Sequence, residues 1–216
     1  MEAQNDQERR IIEFTLRHYG KTFRRFGPSP LGVDWDSQPG QYLRLLQLLK
    51  ICDPIVGKSS IIDYGCGYGA LWSLMHERGI ERKFNYLGID LCATMIRAAR
   101  KIHKDTAADF MEGYQIEKDA DYIVASGIFN VKGDFEKDEW EHYVDTTLRS
   151  MFRKSRAGMA VNFMRTLDVA RIRKIGLYRT VPERWIAMFE RVGECTIEIV
   201  DNYGLNEFTL LCRRRC

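Results

Sequence analysis

One stretch constrains this chain more than any other. Ile61-Ile62-Asp63-Tyr64 is followed at once by Gly65-Cys66-Gly67-Tyr68-Gly69-Ala70 and then by an amphipathic segment. An apolar run that breaks into glycines and resumes with helical periodicity reads as a buried strand, a tight turn and the start of a helix. Glycine admits backbone angles closed to other residues and lets a ligand approach the main chain. The helix start behind it offers free N–H groups and a positive dipole end. Such a turn holds a polar ligand, and two ligand classes fit the spacing. Gly65-x-Gly67-x-x-Ala70 satisfies the dinucleotide pattern G-x-G-x-x-G/A, which admits NAD. Asp63, two residues before the first glycine, suits an ammonium group or its water shell better than a pyrophosphate.

The pattern continues with alternating strands and helices. The sequence predicts helices over residues 70–78, 93–102, 136–152 and 182–191 and strands over 61–64, 84–89, 106–110, 122–126 and 158–163. Repeated β-α alternation specifies a doubly wound α/β fold with a mainly parallel sheet covered on both faces. The end breaks the rule. Residues 195–200 and 208–212 alternate around Asp201-Asn202-Tyr203-Gly204, which reads as an antiparallel C-terminal hairpin. The front also differs: a helix over 7–19 stopping at Gly20, a Gly/Pro-rich loop, and a helix over 41–52 form an N-terminal helical cap. We therefore expect a cap or lid over residues 1–55 and one compact ligand-binding unit over 56–216.

Composition narrows the function. A formal net charge of +3 among 216 residues is too small to argue for a nucleic-acid partner. The basic cluster Arg213-Arg214-Arg215 reads as a solvated tail after the last strand. No apolar run is long enough to span a bilayer, and MEAQNDQERR lacks the apolar core of a secretory signal, so a cytoplasmic location with no membrane association is expected. The six cysteines include no C-x-x-C pair and no zinc spacing, so reduced thiols and no metal are expected.

Tyr86-Leu87-Gly88-Ile89-Asp90 ends the second strand in an acid about twenty residues beyond the turn, where a carboxylate can accept both ribose hydroxyls. Asp90 also reads as a helix cap. Taken together, Asp63-x-Gly65-Cys66-Gly67-x-Gly69 and Asp90 resemble the glycine loop and second-strand acid of the class I S-adenosylmethionine-dependent methyltransferases. The resemblance implies a seven-stranded sheet and S-adenosyl-L-methionine as methyl donor. It implies donor contacts from Asp63, Gly65, Cys66, Gly67, Gly69, Asp90 and the adjoining Leu91. Asp109 and Phe110 resemble the adenine-contacting position after the third strand, and Ser126 and Gly127 fall where the fourth strand opens onto donor and acceptor. The stretch 125–132, with 32–35 and 206–208, resembles small-molecule members of bacterial origin, a likeness that carries no substrate with it. The amino-methylating N/D/S-P-P-Y/F motif is absent at 126–129, as is the Pro-Cys pair of cytosine-C5 enzymes. Both absences favour a small-molecule acceptor.

The cap supplies further candidates. Tyr19 or Trp35 suits the face of a sulfonium, and Arg44, on a leucine-rich helix, suits the donor's carboxylate. Residues 19–35 present Tyr19, Phe23, Phe26 and Trp35 with no expected element of their own, which reads as a lid. An activated methyl needs alignment more than side-chain chemistry, and no residue singles itself out as catalytic. If the acceptor must lose a proton, His18, His142, Asp201 and Tyr203 are the candidate bases. An NAD-linked oxidoreductase would need a second half-sheet and a proton relay, for which the chain shows no room. A non-catalytic binding module sits poorly with an intact glycine loop bearing both acids.

Overall fold

The computed structural model describes residues 2–53, 57–166 and 176–215, so the boundary expected at residue 55 and the sixth cysteine, Cys216, lie outside the described residues. Seven strands form one sheet: β1 (Ser59–Tyr64), β2 (Phe84–Asp90), β3 (Asp109–Glu112), β4 (Ala120–Ala125), β5 (Ser155–Met164), β6 (Cys195–Val200) and β7 (Glu207–Arg214). Their order is β3-β2-β1-β4-β5-β7-β6. The first five run parallel, and β7 lies antiparallel to both β5 and β6. The strand order reverses between β1 and β4, and in such sheets ligands bind beyond the carboxyl ends at that reversal. Among the described residues six α-helices accompany the strands: α1 (Glu2–Phe26), α2 (Gln38–Leu49), α3 (Ala70–Glu77), α4 (Ala93–Ile102), α5 (Lys137–Lys154) and α6 (Pro182–Val192).

Two apolar layers cover the sheet. On one face Ile11 of α1, Trp140 and Leu148 of α5, and Trp185 and Phe189 of α6 pack on Ile62, Ile123 and Phe163. On the other, Leu45 and Leu48 of α2, Leu71 and Met75 of α3, and Ile96 of α4 pack on Ile61, Tyr86 and Val124. Central β5 is buried on both faces from residue 158 to 163, as expected of a parallel strand between helix layers. Phe163 stacks on Trp185 at 5.3 Å between ring centres, a contact that fixes α6 to the sheet.

Three expectations need correction. Gly20 does not stop α1, which runs to Phe26 and ends where Gly27 returns its N–H to the Phe23 carbonyl at 2.8 Å. Gly20 is a buried position inside the helix where α1 passes Cys92 beside α4. Tyr19, Phe23 and Phe26 therefore do have a helix of their own. Secondly, β3 begins at Asp109 rather than at residue 106. The link from β3 to β4 is only seven residues with no helix, short for a parallel crossover. Thirdly, Arg213 and Arg214 are no solvated tail. They belong to β7, pair with Glu198 and Glu194, and Arg214 donates to the carbonyls of Phe152 and Ser155.

A β-carbon on Gly20 would meet Arg24 at 3.6 Å and the Cys92 sulfur at 4.0 Å, ordinary contact distances. Gly20→Ala should therefore stabilise the fold by about 0.5–1 kcal/mol through helix propensity, read as a rise of roughly 1–4 °C in thermal midpoint. A fall in midpoint would show that the α1–α4 seam has no room for a methyl group.

Candidate active site beneath the first helix

The glycine turn is tied to the neighbouring strand before it meets anything else. The N–H groups of Gly65 and Cys66 both donate to the Ile89 carbonyl of β2, at 2.7 and 3.1 Å. Gly65 holds φ 78°, and a β-carbon there would stand 2.2 Å from Ile128, so both backbone angle and space demand glycine. Gly69, at φ 86°, then starts α3.

Two buried acids stand behind the turn. Asp90 accepts the Gly67 N–H on one carboxylate oxygen at 2.9 Å and the Cys92 N–H on the other at 2.8 Å. It thereby ties the glycine turn to the entry of α4, and the helix-entry role read from sequence is present alongside any ligand role. Burial raises its pKa, and the two N–H bonds oppose that rise. Asp63 accepts the Tyr86 hydroxyl at 2.7 Å. Burial pushes its carboxyl up to about 7, with the Tyr86 bond pulling it down and the Asp90 charge adding to the rise.

A cavity of about 920 Å³, its open mouth included, lies over these groups. Gly65, Cys66, Gly67, Asp63, Asp90 and Leu91 form its floor. Ser126, Gly127, Tyr19 and Trp35 also line it. The only ionisable acids or bases among its described lining residues, tyrosines and cysteines aside, are Asp63 and Asp90; no Lys, Arg or His contributes. The sequence reading missed Thr15, Gln41, Tyr64, Tyr68, Gly113 and Tyr143, which line it too. Tyr64 and Tyr68 sit inside the glycine motif and were within reach of that reading. Thr15 and Tyr143 looked like interior positions of ordinary helices.

The cover is α1. It crosses from α5, where Gln7 donates to the Glu139 carbonyl and Phe14 packs on Phe135, to α4, where Phe23 packs with Cys92 and Met95. Midway the Tyr19 hydroxyl reaches the Gly127 carbonyl at 3.4 Å. Burial drives the pKa of Tyr19 far above the ordinary range, so it stays protonated. Trp35 lies against Gly127, where a β-carbon would come within 2.4 Å of the indole.

Three expected contacts are overturned. Arg44 is not free for a ligand carboxylate. Its guanidinium grips Glu207 through three contacts of 2.6–3.0 Å, donates to the Gly40 carbonyl at 2.7 Å and stacks on Trp35 at 4.0 Å. Glu207 also accepts Asn162 at 3.0 Å, and Asn162 accepts the Gly127 N–H at 2.8 Å. Asp109 is exposed at the amino end of β3, opposite Leu87, and so at the wrong end of the strand. Glu112 holds the register position beside Asp90, and Gly113 follows it into the cavity wall. Phe110 is buried between Tyr86 and His103 and belongs to the core. Gly69 starts α3 just behind the cavity without lining it. None of the candidate bases lines the cavity: His18 pairs with Asp34 at 2.5 Å, Asp201 with Arg165 at 2.7 Å, and Tyr203 meets Thr209 at 3.3 Å. His142 lies on α5, outside the cavity wall.

Removing Glu207 strands a buried cation. Glu207→Ala should cost roughly 3–5 kcal/mol of stability in denaturant titration; a loss under about 1 kcal/mol would show that water enters and solvates Arg44. Asp63 gives a second outcome. Its folded-state pKa lies above the unfolded value, so its contribution is fully present below about pH 4 and is lost as pH rises through about 7. The thermal midpoint of the native protein minus that of Asp63→Asn should fall across this interval and level off above it. A flat difference would place Asp63 in contact with water or a cation.

No family model matches the chain. Over 170 residues, 78% of this chain and 99% of the relative, it is 35% identical to the protein named "Putative methyltransferase Rv1506c" of Mycobacterium tuberculosis (strain ATCC 25618 / H37Rv). Among solved structures the fold is similar to PH0226 protein from Pyrococcus horikoshii OT3, with TM-score 0.63 and 14% identity over 90% of this chain and 99% of that one. It is similar also to magnesium protoporphyrin IX methyltransferase (ChlM) from Synechocystis PCC 6803 with bound SAH, with TM-score 0.58 and 12% identity over 97% and 94%. A third likeness is to the DhpI–SAH complex, with TM-score 0.58 and 14% identity over 94% and 97%. At these identities the structures speak for the fold, while the curated relative speaks for descent. With its sheet order and its glycine turn backed by two acids, the chain belongs to the class I S-adenosylmethionine-dependent methyltransferases.

Proposed function

We propose that this enzyme transfers the methyl group of S-adenosyl-L-methionine to a small-molecule acceptor inside the cavity beneath α1. The observation that carries this reading is the charge of the lining, which is two carboxylates and no cation among the described residues. The donor bears a sulfonium, an ammonium and one carboxylate, a net positive charge that matches such a wall. A dinucleotide would bring a pyrophosphate against Asp63 and be repelled. The donor also fits the remaining groups: Asp90 keeps lone pairs for ribose hydroxyls, Asp63 faces an ammonium, and the turn at Gly65–Gly67 leaves room for a ligand close to the main chain.

The sulfonium supplies an already activated methyl group, so the chain's task is alignment and exclusion of water. Tyr19 and Trp35 bring aromatic surface into the cavity, suited to a sulfonium. α1 covers the cavity between α4 and α5, and Leu91 with Gly113 suits the adenine side. The small acceptor is supported by that cover, which leaves space for a compact molecule and, among the described residues, brings no basic residue to the lining for a phosphate backbone.

S-adenosylhomocysteine at about 100 times its dissociation constant should stabilise the fold by roughly 2.7 kcal/mol, and NAD should not. A shift with NAD alone would overturn the reading. Asp63 adds a pH signature. Ionised Asp63 is the form that attracts an ammonium, so calorimetric affinity for S-adenosylhomocysteine should fall as pH drops below about 7, by at most about tenfold per unit. Asp63→Asn should bind more weakly and lose this dependence. Asp90→Ala should lose both donor-product binding and thermal stability, because its carboxylate holds Gly67 and Cys92 as well.

A further inference from the structure

Two buried hydroxyl groups on residues of the cavity wall have nothing to bond. Thr15 Oγ1 on α1 and Ser126 Oγ at the end of β4 are both buried and both without a hydrogen-bond partner, and both residues line the same space. Three other helical hydroxyls satisfy themselves: Thr22, Ser73 and Thr147 each donate to the carbonyl four residues back. Thr15 does not, although the same kind of carbonyl lies within its own helix. A buried polar group without a partner is costly, and native structures keep few of them. One belongs to the helix that covers the cavity and the other to the end of β4.

The rest of the lining completes the argument. Tyr19 and Ile128 stand beside these hydroxyls in the wall, and neither carries a charge at neutral pH. Among the described lining residues Asp63 and Asp90 are the only acids or bases besides tyrosines and cysteines, so a carboxylate or phosphate on the acceptor would meet repulsion from them and no counter-charge there. An ammonium would be attracted, but its nitrogen has no lone pair to offer a methyl group. From this we infer that the acceptor is an uncharged molecule with at least two hydrogen-bonding groups, one held by Thr15 and one by Ser126. This rests on the methyltransferase reading above and adds the acceptor's chemistry to it. In the transfer, an acceptor lone pair forms the bond to the methyl carbon as the carbon–sulfur bond breaks and its electron pair returns to sulfur. Where the acceptor atom carries a proton, that proton leaves to solvent.

The test uses the full-length protein, deuteriomethyl S-adenosylmethionine, and a microbial small-molecule extract split by ion exchange into neutral, anionic and cationic fractions. Label should enter a compound of the neutral fraction, detected by mass spectrometry. With that compound purified, Thr15→Val and Ser126→Ala should each raise its KM about three- to tenfold, the loss of one neutral hydrogen bond. Their affinity for S-adenosylhomocysteine by calorimetry should not change. Label confined to the anionic or cationic fraction overturns the inference. So does weakened S-adenosylhomocysteine binding in both variants, which would give the hydroxyls to the donor, or an unchanged KM in both. Label in no fraction while S-adenosylhomocysteine still binds would sink the small-molecule acceptor and this inference with it. Failure of S-adenosylhomocysteine to bind at all would strike the parent reading instead.

Discussion

The carboxylate of Asp90 is the interaction on which the site depends. Its two oxygens take one N–H from the glycine turn after β1 and one from the entry to α4 after β2. Two crossover connections that share no covalent continuity are thereby held at one separation. Because the group is buried, each bond is stronger than it would be in water, and its loss would leave orphaned N–H groups in the cavity floor. The same burial makes the acid expensive to ionise, and a cation in the cavity offsets that cost. On the proposed donor reading, structure and ligand preference both arise from this side chain.

A second buried set links the cover to the far side of the sheet. Trp35 rests on Gly127 and under Arg44, Arg44 is bound to Glu207 on β7, and Glu207 reaches the Gly127 N–H through Asn162 on β5. The segment after β4 is therefore held from below by the strands and from above by Tyr19. A buried ion pair is weak evidence for stability in itself, because desolvation offsets most of the attraction. Its effect here is geometric. It fixes the Ser126–Gly127 turn and the indole in one arrangement, so the space offered to an acceptor has rigid walls.

The short link from β3 to β4 shapes the third side. With seven residues and no helix, it runs directly from Glu112 and brings Gly113 and Tyr114 to the cavity edge. Tyr64 fills part of the space beside it and donates to the Tyr114 carbonyl at 2.7 Å. A parallel crossover normally carries a helix over the sheet; here α1 reaches across from the amino terminus and supplies cover at this end.

Much of the fold was legible because it follows from local pattern. The period-two and helical runs placed most of the strands and helices, and Asp63, Gly65, Gly67 and Asp90 stood out because a turn with those backbone angles admits few residues. The antiparallel end was readable from the turn at 201–204. The sequence misled where packing overrode propensity: Gly20 looks like a helix end and is instead a buried position inside α1, beside Cys92. It misled also where the register of a short strand decided the matter, since a shift of three residues moved Asp109 from the ligand end of β3 to the other. Arg44 could be read as a free cation only while Glu207, 163 positions away, was not known to lie beside it. The sequence by itself determined the sheet-and-turn framework and the two acids of the floor, because those depend on neighbours along the chain. Which buried hydroxyls are left unpaired, and which charges are already spent on each other, was decided by tertiary structure alone, because both depend on contacts between residues that the chain keeps far apart.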